Sequence, residues 1–261
     1  MINVSAKFWF LTVLVGQVIF SFYIIAFYYA NTLAGDIAQY NRVMPAGYIE
    51  NDTYGNAAVV IHVLFAALIT IGGLLQLIPR VRQKIPAIHR WNGRLYIAIA
   101  IIMSLSGAFM VITRTDKVAG DAFGHAALMI NGLIIIVCAI RAFGYARQRN
   151  FALHRIWALR LFVAVSGVWM FRIGLMAWIM FHGKPVGFDP ATFSGPFLNF
   201  LFTLVYILPL LCLEGYLRAQ SNGTVLNKTI TASWLAVLTL IMLAGVFAAA
   251  MGMWLPRIGL A

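Results

Sequence analysis

Long apolar runs separated by short polar connections dominate the chain. Seven runs of about 20 or more mostly apolar residues occupy 8–29, 57–78, 88–112, 123–143, 153–181, 197–217 and 230–254. A hydrocarbon core is crossed by about 20 helical residues, so the pattern predicts an all-α polytopic membrane protein with seven transmembrane helices. A single Lys7 precedes the first run, which is longer than the core of a cleaved signal peptide, and an uncleaved first span is expected. Pro209 inside the sixth run predicts a kink that neighbouring helices can absorb.

Charge sets an orientation. The connections 79–94, 141–160 and 214–229, with the N-terminus, hold 13 of the 19 Lys and Arg residues. The connections 30–56, 113–122 and 182–196, with the C-terminal tail, hold five, and Arg172 falls inside a span. Six of the seven acids (Asp36, Glu50, Asp52, Asp116, Asp121, Asp189) lie on the second side and only Glu214 on the first. Basic connections face the cytoplasm, which predicts a cytoplasmic N-terminus, an external C-terminus and residence in a bacterial inner membrane. A net charge of +12 confined to such connections excludes a nucleic-acid face. Cys138 and Cys212 lie inside apolar runs and predict neither a disulfide framework nor a cysteine metal site. The outer connection 30–56 carries Tyr40, Tyr48 and Tyr54, which are expected at headgroup level. Covering the bundle mouth or docking a partner is the alternative for this loop.

One segment occurs twice. Arg82-Gln83-Lys84-Ile85-Pro86-Ala87-Ile88-His89-Arg90 returns at an offset of 65 residues as Arg147-Gln148-Arg149-Asn150-Phe151-Ala152-Leu153-His154-Arg155. Each copy opens an apolar run and follows another that carries its own histidine, His62 or His125. A duplicated two-helix unit thus forms a central four-helix bundle, spans two to five, within a single membrane domain 1–261. The peripheral spans 8–29, 197–217 and 230–254 lack histidine and are open to a partner subunit. By depth, His62 and His125 fall near the outer face, His89 and His154 near the inner one. In a ring ordered two-three-four-five, spans two and four are diagonal, as are three and five. Diagonal imidazoles at matching depth can ligate a metal-centred macrocycle from both faces, and haem iron accepts them. Interfacial anchoring of helix ends is the bland alternative for each histidine.

At 100° per residue, Gly73 shares a face with His62, Gly107 with His89 and Gly132 with His125, leaving room for a ring. Close helix packing is the other use of such glycines. Arg172 lies 18 residues beyond His154, on the same face, and an intramembrane Arg requires an anion or water. Arg90, Arg94, Arg155 and Arg160 cluster by the inner histidines, and Arg90 and Arg155 are the candidates for haem propionates.

Four histidines on four consecutive spans, paired two-with-four and three-with-five, resemble the layout of the cytochrome b561 superfamily over about residues 57–181. That resemblance implies two b-type haems, one on His62 and His125 and the other on His89 and His154. It also implies transmembrane oxidoreductase activity, with electrons passed across the bilayer from a quinol or small reductant. The stretch His89-Arg90-Trp91-Asn92-Gly93-Arg94 also resembles an uncharacterised bacterial family of predicted integral membrane proteins. A non-redox transporter or scaffold, its histidines relaying protons or anchoring helix ends, is the rival expectation. It calls for more buried polar groups at mid-membrane than Asn131 and Thr70.

Overall fold

The computed structural model describes residues 2–44, 46–114 and 120–260. Asp116 and Lys117, counted above by side, lie outside them. Helix α1 (Ile2–Ile24) runs through a π-helical turn (Ile25–Tyr29) into α2 (Ala30–Leu33), and α3 spans Thr53–Leu77. A short α4 (Pro79–Lys84) leads to α5 (Pro86–Thr113), followed by α6 (Ala122–Arg147). The fifth span is two helices, α7 (Phe151–Val165) and α8 (Gly167–His182), bent by 46° at Ser166. Helix α9 covers Pro196–Asn222, and α10 covers Val225–Ala249 with a π-helical turn at Ala250–Trp254. The break falls in the fifth span, whereas α9 remains one helix through Pro209.

The bent pair crosses as one span. Helix α7 begins where α6 ends, and its Arg155 donates to Gln220 at the far end of α9 (3.1 Å). Helix α8 ends where α9 begins, with Trp178 stacked on Phe197 (4.4 Å between centroids). Each of the seven expected spans therefore has its helical counterpart. All-helical, apolar and long enough to cross, they meet lipid over their outer surfaces. We call the two ends the basic and the acidic face.

Helix α3 packs on α5, α5 on α6, and α6 on α7, while α3 with α6 and α5 with α7 are not among the closely packed pairs. The ring closes through side chains, for Gly73 of α3 lies against Phe162 of α7. The spans expected at the periphery do not all lie there. The largest buried cluster joins α1 (Val13, Phe20, Tyr23), α8 (Trp169, Ile173) and α10 (Val246, Ala249) to one side of α3. Small residues permit it: a Cβ on Gly16 would meet Trp169 and Val246 at 2.7 Å, and one on Gly245 would meet the Ile173 carbonyl oxygen at 2.7 Å.

Polar clasps hold the bundle ends. At the acidic face Asp52 caps α3 through the Gly55 amide (2.9 Å) and accepts from Arg114 Nε (2.8 Å). Arg114 also donates to Asn56 (2.8 Å) and to the Ala46 carbonyl (2.9 Å). Asp121 caps α6 in the same way, through Gly124 (2.9 Å), and accepts from Asn199 (2.8 Å). Those donors hold its carboxyl below the ordinary carboxylate range. The connection 30–56 is not simply interfacial. Tyr40 is fully buried edge-on against Tyr28 while Tyr54 is exposed, and burial raises the Tyr40 phenol.

Candidate functional site

His89 and His154 are each the fourth residue of their helices, α5 and α7, which open on the basic face. Their helices both pack on α6, and the two imidazoles are within electrostatic reach of one another. His154 Nδ1 donates to the Ala142 carbonyl (2.9 Å), which leaves its Nε2 lone pair open. His89 Nδ1 is buried without a partner, and Gln76 fixes the backbone by donating to the His89 carbonyl (3.0 Å). The repeated segment therefore has a purpose the fold makes visible. Pro86 starts α5 in the position where a missing amide costs nothing, and Asn150 caps α7 through Leu153 (3.2 Å).

The pair toward the acidic face is staggered. His62 is the tenth residue of α3 and His125 the fourth of α6. Both helices start from an Asp cap, so six residues separate the two histidines in depth, about 9 Å at 1.5 Å per residue. His62 Nδ1 meets Ser106 Oγ (3.0 Å), and Ser106 itself donates to the Met103 carbonyl (3.1 Å). His62 thus supplies the proton and keeps a free lone pair on Nε2. His125 is buried beside Gly120 and Phe202.

The glycines line up differently from the face count. Gly73 receives the rings of Tyr96 and Phe162, whose atoms lie 3.0–3.1 Å from where a Cβ would be. Gly107 faces His62 (3.7 Å), not a space above His89, and Gly132 faces Ser104 (3.9 Å). Gly73 serves close approach between helices, whereas an added carbon at Gly107 or Gly132 would meet only ordinary contacts. Face counting also fails for Arg172, because the break at Ser166 interrupts the helix between it and His154. Arg172 lies over the Phe20 ring (5.5 Å to the centroid), donates to the Val168 carbonyl (3.3 Å) and is within electrostatic reach of His62. Of the basic cluster, Arg90 is within electrostatic reach of His89. Arg160 instead grips Glu214 through two bonds (2.7 and 3.1 Å), Arg155 turns to Gln220, and Arg94 covers Trp91.

Sequence reading missed the polar interior of α1. Gln17 is buried and donates to Ser166 Oγ (3.1 Å) at the helix break, while Asn131 donates to the Ala164 carbonyl (3.3 Å). Thr70, one of the two groups expected at mid-membrane, bonds its own helix at Ala66 (2.6 Å). The signal was present: Gln17 is the one amide in an otherwise apolar first run.

Do the histidines fit haem? The donor chemistry does: two have Nδ1 engaged and Nε2 open, and a third presents a buried, unpartnered ring nitrogen. No group of three or more His, Cys, Asp or Glu able to hold a bare ion exists among the described residues.

A bundle of apolar helices with its charges, Arg172 apart, at the two ends is a polytopic integral membrane protein. Residues 59–195 match the family described as predicted membrane protein (DUF2306), and the chain belongs to that family. The matched segment runs from α3 past α8 and contains all four bundle histidines. No curated protein and no solved structure matches the chain.

Proposed function

We propose that the protein is a b-type cytochrome of b561-like layout, with haem between His89 and His154; His62 and His125, six residues apart in depth, do not face one another as a level pair for a second ring. The supporting observation is the first pair: equal position in their helices, both helices packed on α6, mutual electrostatic reach, and one buried ring nitrogen without a partner. Haem, when bound, supplies one-electron chemistry. The chain supplies the imidazoles, a low dielectric and a nearby cation, Arg90 on the basic side. Arg155 donates one exposed hydrogen bond to Gln220 and keeps its other donors. A quinol or small reductant is the proposed donor class, and the basic face is proposed to be cytoplasmic in a bacterial inner membrane.

The test is the visible spectrum of the purified protein with haem quantified per chain. His89→Ala and His154→Ala should each abolish the same low-spin haem signal, and combining them should remove little more. Protein from haem-replete cells that carries no haem would end the proposal. The broken span with Gln17, Ser166 and Asn131 around it favours a second reading, a transporter with an unwound mid-membrane site. Ion or solute flux by haem-free protein in liposomes would establish that reading instead.

A further inference from the structure

Five buried polar atoms in the α1–α8–α10 core have no hydrogen-bond partner: Gln17 Oε1, Ser21 Oγ, Tyr23 Oη, Trp169 Nε1 and Trp254 Nε1. They are matched in chemistry and in level. An indole N–H only donates, an amide oxygen only accepts and a hydroxyl does either. Gly16, beside Gln17, lies against Trp169, so these two orphans share a level next to the break at Ser166. One turn further along α1, Phe20 packs against Trp254 (5.2 Å between centroids), which brings the second indole to the level of Ser21. Arg172 stands over that same Phe20 ring, and no carboxylate pairs with it among the described residues. Lipid offers none of these groups a partner, and in a bilayer each would remain unsatisfied.

We propose that this interior binds ordered water, in a file running from the break at Ser166 along Gln17, Ser21 and the two indoles toward Arg172. A buried water needs two to four polar partners, and the donor and acceptor at each level supply two. The file gives the Arg172 guanidinium the aqueous contact that an intramembrane charge requires. It is also the path along which a proton would pass between the acidic face and mid-membrane. Nothing in this assignment depends on haem.

Hydroxyl-radical labelling by X-ray radiolysis, read by mass spectrometry on the full-length protein in nanodiscs, tests it, because side chains next to ordered water oxidise even when buried. Trp178 is the reference: it is less buried, and its indole N–H is already bonded to the Val186 carbonyl (2.9 Å). Trp169 and Trp254 should label at least as fast as Trp178. Labelling several-fold slower at both, as burial alone dictates, overturns the proposal. Gln17→Leu removes one acceptor and should lower Trp169 labelling several-fold while Trp254 is unchanged. Equal labelling of Trp169 in that variant refutes the file at its inner end. If the variant does not fold, the wild-type comparison of the three tryptophans decides.

Discussion

The bundle α3–α5–α6–α7 and the core α1–α8–α10 are both helical and apolar, yet they are held together differently. In the most apolar window of α1 half the residues are buried, against 17% in that of α5. The core is joined along its length, by glycines that bring backbones within a side chain's width. The bundle is joined by a smaller buried cluster, with Ile69, Tyr96, Ile99, Cys138 and Leu161, and by polar clasps toward its ends. Asp52–Arg114 ties α3 to α5 at the acidic face, Asn92 bonds the Gly72 carbonyl (2.8 Å) nearer the basic face, and Arg160–Glu214 links α7 to α9. The bundle thus adds polar ties near its ends to a smaller buried cluster at its middle. A closed seam suits a scaffold, and any polar group trapped in it must be satisfied internally.

The comparison breaks most sharply at the clasp. Arg114 is almost fully buried, with 3% of its side chain exposed against 35% for Asp52. Asp52→Ala leaves a buried cation without its counter-charge and removes the α3 cap. A loss of about 3–5 kcal/mol is expected in reversible unfolding. Arg114→Met leaves a carboxylate that water can reach, so the loss should be smaller, about 1–3 kcal/mol. Equal losses for the two variants would mean that the clasp acts through contact alone. Both should loosen the bundle ends and leave the α1–α8–α10 seam protected in hydrogen exchange.

Packing in the core predicts the complementary result. Gly245→Ala places a methyl 2.7 Å from the Ile173 carbonyl oxygen, which must move, at about 1–3 kcal/mol. Gly144 in α6 has nothing within 4 Å of the added carbon. Gly144→Ala should therefore be neutral or stabilise by up to about 1 kcal/mol through helix propensity. A core that tolerates Gly245→Ala as easily would not be held by close approach.

These two regions were unequally legible in the sequence. Hydropathy located every span, because lipid imposes length and apolarity on each helix regardless of its neighbours. The histidines and their repeated His-Arg segment were visible for the same reason: polar residues at span ends stand out. Rotational inference failed where helices are not ideal. Counting 100° per residue placed Arg172 on the His154 face, but the count crosses the bend at the Ser166-Gly167 pair, a weaker kink signal than proline. The glycine faces misled because Gly73 receives aromatic rings from two other helices, a tertiary fact with no local trace. Gln17 was passed over because one amide in an apolar run says little until its partner, 149 residues away, is known.

The smallest expected effect refines the comparison at a second cap. Asp121 begins α6 as Asp52 begins α3, but its partner is the neutral Asn199 rather than a buried cation. Asn also caps helices well, so Asp121→Asn keeps the turn and loses only the charge at the helix start, about 0.3–1 kcal/mol. Its pH dependence separates this from a packing defect. The folded carboxyl titrates below its unfolded value, so its contribution is present above the ordinary carboxylate range. It disappears as pH falls below about 4. The gap in melting temperature between the wild type and Asp121→Asn should therefore be open at pH 7 and close as the solution is acidified. A gap that persists unchanged in acid would assign the loss to altered packing against α9 and leave Asp52 as the one cap in the bundle whose charge matters.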